Sequence, residues 1–477
     1  MESDDSPVGS IAKWDPATRT TGETVDIYSQ DELFIGRNSE SCHLQVQGLH
    51  ISGKHLRIYT ILYGEDGVGG GVPPMVYAED ISLNGTLWNG HKMDKGNGGF
   101  LLSHGDVLTL MPGVHLRFRC VEKPKIGQFT SVQRSEMRIF KDTYAVSPRV
   151  LGQGSFGRVH MALDQGKGRQ IACKIMDLAA LKTRMLKNTG ADGLSQAAAS
   201  KVEVVINCFN REVLLLSTLS HPNIIRLERA FRSESTIYLM SELATAGDLF
   251  SFIKYKDGRI EDMVAAFIVY QLLLALDYLH KQDIVHRDIK PDNILITSRQ
   301  DGGRIILTDF GCAKLRNQPA RQGVSVVGTP EFCAPEIRRR VSGDVDTRAA
   351  DMWSVGCVAA VLFLGASPFK DTYHDLTDAF ADLEIDIEDN EIGRRPREFL
   401  LNLLSEEWHE RMDAKAALHH EWFSKSSTKA WIAEHYQNAI QHWKPQVWRE
   451  PVVVDLPKSS TPPARQSAAS LPPDPKD

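Results

Sequence analysis

At 477 residues the chain is long enough for two or three domains. Its 42% hydrophobic and 24% charged residues are those of an ordinary globular protein, and a net charge of −6 gives no hint of bulk nucleic-acid binding. The 7 cysteines are scattered without a CxxC pair, which argues for reduced thiols and against a disulfide framework or a zinc site.

The chain opens on a polar, acidic segment that does not read as a signal peptide. The first ~120 residues read as short strands. Val114, Leu116, Phe118 and Cys120 alternate with polar residues, and Leu56 and Ile58 alternate with Arg57 and Tyr59, the period of half-buried strands. Gly and Asn clusters separate these runs, as in a β-sandwich. From about residue 144 strands around Val150 and Ile171–Ile175 give way to helices. Ile206, Phe209, Val213 and Leu216 fall at helical spacing, as do Leu272, Leu276 and Leu279. Residues 181–201 between them are polar and Gly/Ala-rich, and are expected to form a mobile insertion. Val264–Leu279 and Trp353–Phe369 are apolar enough to suggest membrane spans, but Gln271 and Asp277 interrupt the first. The second is expected to be a buried core helix. A further helix is predicted over Thr428–Trp443, followed by a Pro/Ser-rich tail with the composition of disorder.

Within the second region, Gly152, Gly154 and Gly157 follow a strand and would let backbone fold over phosphates. A dinucleotide-binding fold uses the same spacing before a helix, but here another strand follows. Lys174 in that strand could hold α- and β-phosphates if Glu212 fixed its position. His286-Arg287-Asp288 supplies a carboxylate able to orient a hydroxyl and take its proton. Asn293 and Asp309 are hard oxygen donors suited to Mg²⁺. Asp309-Phe310-Gly311 and Ala334-Pro335-Glu336 bracket a loop, and Asp351-Met352-Trp353 follows.

In this order these motifs resemble those of eukaryotic protein kinases. The resemblance covers about 144–423 and implies a bilobal α+β fold that uses ATP and Mg²⁺. It places Val159, Glu242 and Ala244 at the nucleotide and Lys290 at its γ-phosphate. It also pairs Arg411 with Glu336. Lys290 and Gly328-Thr329-Pro330-Glu331 imply Ser/Thr specificity. Arg287 implies control by a phosphorylated activation loop, with Ser325 the phosphosite and Thr329 nearer the substrate. Asp248 and Asp292 stand where related kinases bind Arg upstream of the target hydroxyl. Ser241, or Met240 if the register shifts by one, lies behind adenine.

Phe34-Ile35-Gly36-Arg37, Ser52-Gly53-Lys54-His55, Asn84-Gly85 and Gly105-Asp106 resemble the forkhead-associated (FHA) domain, a sandwich that binds phosphothreonine. Arg37, Ser52 and Lys54 are suited to a phosphate and Asn84 to a peptide backbone. Gly36, Gly85 and His55 are expected to brace loops. The resulting architecture is multidomain: FHA sandwich at 8–122, linker at 123–143, kinase at 144–423, helical extension at 424–445 and disordered tail at 446–477. The combination is similar to the fungal FHA checkpoint kinases. It implies protein substrates, a phosphothreonine-bearing adaptor, a phosphorylation-dependent homodimer and a nuclear location, with no direct nucleic-acid or membrane contact. A single FHA domain and few Ser/Thr-Gln sites tilt the resemblance toward the meiotic branch. A calcium/calmodulin-regulated kinase and a phosphothreonine-binding scaffold with a dormant kinase fold are the alternatives.

Overall fold

A computed structural model describes residues 6–62, 74–93, 98–121, 127–154, 157–187, 196–315, 329–339, 346–369, 376–447 and 450–457. Among the described residues, eleven short strands form the N-terminal sandwich: β1 (Gly9–Asp15), β2 (Thr20–Ile27), β3 (Glu32–Gly36), β4 (Leu44–Gln45), β5 (Leu56–Ile61), β6 (Met75–Asp80), β7 (Leu87–Trp88), β8 (His91–Lys92), β9 (Phe100–Leu101), β10 (Val107–Met111) and β11 (Val114–Cys120). One sheet runs β2-β1-β11-β10-β7-β8, the other β4-β3-β5-β6-β9. Ile11, Ile35, Leu56, Ile58, Leu108, Leu116 and Phe118 fill the space between them.

The β5 alternation is real, but the half-burial expected from it is not: every residue from Leu56 to Ile61 is buried. Leu56 and Ile58 face the sandwich core, whereas Tyr59 and Ile61 pack with Leu151, Met161 and Ala172 of the second region. A second domain covers the face that a lone antiparallel sheet would leave to water.

Residues 123–143, read as linker, include helix α1 (Ser131–Phe140). Thr130 and Gln133 close a capping box at its start. Phe140 stacks on Phe231 at 4.2 Å, and Glu136 accepts a hydrogen bond of 2.7 Å from Tyr238. Apolar and polar partners together dock the helix on the small lobe.

That lobe is built on β12 (Tyr144–Gly154), β13 (Gly157–Asp164) and β14 (Arg169–Asp177), helices α2 (Leu178–Lys187) and α3 (Gln196–Thr218), then β15 (Leu227–Arg232) and β16 (Thr236–Glu242). The expected insertion at 181–201 is thus partly helical, as its Ala-rich composition favours; residues 188–195 lie outside the described residues.

The large lobe holds α4 (Leu249–Tyr255), α5 (Asp262–His280), β17 (Ile284–Val285), β18 (Ile294–Ile296), β19 (Ile305–Leu307), β20 (Lys314–Leu315), α6 (Pro335–Arg338), α7 (Thr347–Leu364), α8 (Leu376–Asp389), α9 (Arg394–Leu403), α10 (Ala414–Ala417) and α11 (Glu421–Ser424). The two apolar helices, α5 and α7, lie in its core. Asp346 caps α7 at its start, and Gly365 ends it at φ 74°, short of the predicted Phe369.

Helix α12 (Ser426–Ile440) lays its apolar face on this lobe. Trp431 meets Phe267 edge-on at 5.6 Å, and Tyr436 donates to Asn223 at 3.0 Å. The chain then returns to the small lobe, where β21 (Val453–Asp455) adds to β15 in parallel. Expected disorder from 446 onward is therefore corrected for this segment: ladder bonds, ion pairs from Arg229 to Glu450 and Arg232 to Asp455, and buried Leu456 hold it. The disorder expected for 458–477 concerns residues outside those described.

Candidate active site and phosphopeptide loops

The cleft between the lobes collects the acidic and basic residues singled out by sequence. Strand alternation aims Lys174 from β14 into it. Lys174 Nζ lies 2.8 Å from Glu212 of α3 and 3.4 Å from Asp309. Burial alone would lower the Lys174 ammonium, but the Glu212 and Asp309 carboxylates outweigh it and raise its pKa above the ordinary lysine value. Burial would raise Asp309, but Lys174 above all holds its carboxyl below the usual range. Asp309 itself sits in the left-handed region at φ 63°, and buried Phe310 packs edge-on against His286 at 4.9 Å. These contacts turn the Asp309 carboxylate toward Lys174.

Asp288 sits across the cleft floor. Asn293 donates its side-chain amide to the Asp288 carbonyl at 2.7 Å and to its carboxylate at 2.9 Å. Lys290 Nζ lies 3.6 Å from the same carboxylate and donates to Thr329 Oγ1 at 2.7 Å. The Thr329 amide donates to Asp288 at 3.3 Å. Thr329 is therefore joined to the loop that carries Asp288 and Lys290; Ser325 lies outside the described residues.

One organiser was not assigned a role from sequence. Buried Asp351 on α7 accepts the His286 amide at 2.9 Å and the Arg287 amide at 2.8 Å, while His280 Nε2 lies 2.9 Å away. Arg287 takes φ 71° there, a strained conformation that these bonds hold in place. The signal available was Asp351 in its Asp-Met-Trp motif, but only folding reveals its partners. The Lys314 ammonium is lowered by burial and then by the cations Arg287 and Arg211.

Arg411 pairs with Glu336 through two bonds of 2.8 Å. Asp248 stands at the start of α4. Its carboxylate accepts the Ser251 amide at 2.7 Å and so caps α4. Burial, and then Asp292, raise its pKa, which places the two acids within electrostatic reach. The β14–β16 register pairs Ala172 with Ser241 and Cys173 with Met240. Ser241 therefore shares the cleft face with Ala172, and Met240 is buried with Cys173 and Tyr238 on the other. Gly152, Gly154, Gly157 and Val159 line the β12–β13 hairpin, and Glu242 and Ala244 follow along the interlobe connection. A Cβ on Gly157 would lie 2.5 Å from the Ile175 carbonyl.

At the far end of the sandwich three loops converge. The Arg37 amide donates to the Ser52 carbonyl at 2.9 Å. Ser52 Oγ accepts the Leu83 amide at 3.0 Å, and Asn84 donates to the His50 carbonyl at 2.7 Å. Lys54 Nζ lies 3.8 Å from the Phe34 ring centre. Arg37, Lys54 and Asn84 are exposed. His55 accepts the Ser52 amide at 3.1 Å, and a Cβ on Gly36 would meet the Gly53 carbonyl at 2.2 Å, so both act as braces.

Comparison with known families gives a protein kinase domain over residues 146–423 and an FHA domain over 33–111. The meiosis-specific serine/threonine-protein kinase mek1 of Schizosaccharomyces pombe is 31% identical over 417 residues, covering 85% of this chain and 84% of the relative. The chain belongs to the FHA-domain checkpoint Ser/Thr protein kinases. It is an ATP-using Ser/Thr protein kinase of checkpoint signalling. The meiosis-specific serine/threonine-protein kinase MEK1 of Saccharomyces cerevisiae is 30% identical over 451 residues, covering 85% of this kinase and 83% of the relative. A crystal structure of Rad53 residues 1–466 with AMP-PNP aligns at TM-score 0.46 and 27% identity, covering 87% of this kinase and 99% of that chain.

Proposed function

We propose that this kinase phosphorylates Ser or Thr downstream of Arg on protein substrates and is recruited by FHA recognition of phosphothreonine on an adaptor. The observation that carries the reading is the assembled Lys174–Glu212–Asp309 triangle beside Asp288. Lys174 holds the α- and β-phosphates, and Glu212 fixes its position. The hinge residues Glu242 and Ala244 flank adenine beneath Val159. Asp288 orients the substrate hydroxyl and accepts its proton, and Lys290 steadies the γ-phosphate. Asn293, whose amide nitrogen is held by Asp288, and Asp309 present hard oxygens that suit Mg²⁺, which when bound neutralises phosphate charge.

Asp248 and Asp292 supply negative charge for an upstream Arg. The cationic group of Arg287, Arg211 and Lys314 suits a phosphate on the activation segment, with Ser325 the assigned residue. Arg37, Ser52 and Lys54 take the phosphothreonine and Asn84 its backbone. Docking on one adaptor raises the effective concentration of kinase molecules and favours phosphorylation within a homodimer. The setting is meiotic, in keeping with the names of the two relatives above, and nuclear, as the family resemblance implies. The apolar face of α12 is occupied by the large lobe, which speaks against calmodulin capture.

Purified kinase with Mg-ATP on a peptide array tests the reading. Transfer favouring upstream Arg and lost in Asp288→Ala is expected; equal labelling of Arg-free peptides overturns the specificity. Loss of phosphothreonine-library binding in Arg37→Ala checks the reader, and undiminished activity of Ser325→Ala removes the phosphosite.

A further inference from the structure

The FHA domain meets the kinase with a surface distinct from its phosphopeptide loops. Tyr59, Ile61, Met75, Tyr77 and Leu101 stand on the outer face of β5, β6 and β9 and form one apolar cluster with Leu151, Met161 and Ala172. Val159 and Leu243 pack against that cluster. Tyr59 and Tyr77 stack at 5.5 Å within it.

Polar groups fix the fit. The Gln170 side-chain amide accepts the Leu101 N–H at 2.8 Å and donates to the Leu101 carbonyl at 3.0 Å, as a neighbouring strand would. Arg149 donates to the Leu102 carbonyl and, at 2.9 Å, to Ser103 Oγ. Tyr59 donates its hydroxyl to the Thr245 carbonyl at 3.0 Å, just past the hinge. The Gly99 amide lies 3.0 Å from Thr245 Oγ1. A Cβ on Gly98 would sit 1.9 Å from that oxygen, and one on Gly247 would press on Ile61 at 3.1 Å. Glycine is needed on both sides for backbone to approach this closely.

Strand geometry locates the contact relative to nucleotide. Lys174, Ala172 and Gln170 alternate onto one face of β14, spaced by roughly 6.8 Å. Lys174 stands at the phosphate end and Gln170 at the FHA clamp. Ala172, between them, and Val159, paired with Lys174 across β13 and β14, roof the adenine slot, and both belong to or abut the cluster formed with the FHA domain. Leu243 and Thr245 edge the same slot along the hinge. The FHA face thus lies across the solvent end of the slot through which adenine enters. Arg37, Lys54 and Asn84, at the opposite end of the sandwich, stay exposed in this arrangement, so phosphothreonine reading is not obstructed.

We propose that the outer β5–β6–β9 face of the FHA domain is a cap on the nucleotide slot, so that docking and nucleotide binding compete. The inference rests on the nucleotide site assigned above, whose own test with Asp288→Ala does not depend on docking. Linkage makes the competition reciprocal: nucleotide loosens the dock, and a weakened dock tightens nucleotide binding.

The test uses the full-length protein and a fluorescent ADP analogue. Gln170→Ala and Ile61→Lys, which lie outside the catalytic machinery, are each expected to lower the nucleotide Kd by about fivefold or more. Unchanged or raised Kd in both overturns the cap. Hydrogen exchange of the unaltered protein supplies a second readout that no folding defect can blur. Saturating AMP-PNP is expected to speed exchange at residues 56–61 and 98–102. Unchanged or slower exchange there overturns the proposal.

Discussion

Arg411→Ala is expected to cost far more than the loss of one surface ion pair. The Arg411 side chain is 0% exposed and that of Glu336 3%. Besides its two bonds to Glu336, the guanidinium donates to the carbonyls of Ser405 at 2.7 Å, Ala349 at 3.1 Å and Glu406 at 3.2 Å. It also lies 4.9 Å from the Trp353 ring centre. Alanine would strand a buried carboxylate and leave three carbonyls short of a donor. Breaking such a pair from one side costs about 3–5 kcal/mol. In a lobe of this size each kcal/mol shifts melting by roughly 2–4 °C, so a fall of roughly 6–20 °C follows. Arg411→Met with Glu336→Leu strands no charge and is expected to recover most of the loss. Thermal unfolding followed by large-lobe tryptophan fluorescence, with hydrogen exchange of α7 assigning the transition, measures both. A single variant within about 2 °C of the parent would refute the stranded-charge argument. So would a double variant no better than the single one. Because Glu336 ends the activation segment, peptide phosphorylation is expected to fail at the same lowered temperature.

Glu212→Gln replaces the carboxylate beside Lys174 with a neutral amide and leaves Asp309, at 3.4 Å, as its anionic partner; kcat is expected to fall about 10²-fold while the fold persists, measured by steady-state phosphorylation alongside circular dichroism. Asp248→Asn keeps an N-cap but removes the charge, so the preference for upstream Arg is expected to weaken without loss of stability, whereas Asp248→Ala also costs about 1 kcal/mol. The Asp248 carboxyl is raised, so its anion is present above that pKa and lost as pH falls through it. The kcat/KM ratio of Arg-bearing to Arg-free peptides is expected to fall as pH drops toward the aspartate range, and to stay flatter in Asp248→Asn. Leu456→Asp places a charge in the cluster with Phe231 and Tyr238, and faster exchange of β15 amides is expected by mass spectrometry.

Much of the catalytic site was legible because phosphate transfer restricts residue type. A lysine, an acidic partner, a hydroxyl-orienting carboxylate and two hard oxygen donors leave recognisable spacings in the chain. Helix α7 was legible for a related reason, since a segment apolar on all sides must be buried somewhere, and α5 by the helical spacing of Leu272, Leu276 and Leu279. The register of the hinge was not: Ser241 and Met240 are adjacent, and only the pairing of Ala172 with Ser241 separates the cleft face from the buried one. Nor was the capping role of Asp248, because an N-cap depends on where the chain turns into α4.

What the sequence determined by itself was local: which residues can hold phosphate, which segments alternate and which faces are apolar. Tertiary structure decided what covers those faces. Residues 131–140 and 453–456 are too short to announce a partner, yet they dock on the small lobe, with Phe140 and Leu456 clustered against Phe231 and Tyr238. Tyr59 reads as the outward half of a strand and, with Ile61, is buried by the kinase hinge and sheet. Periodicity records that a face can be buried, while the identity of its partner depends on contacts between residues far apart in the chain.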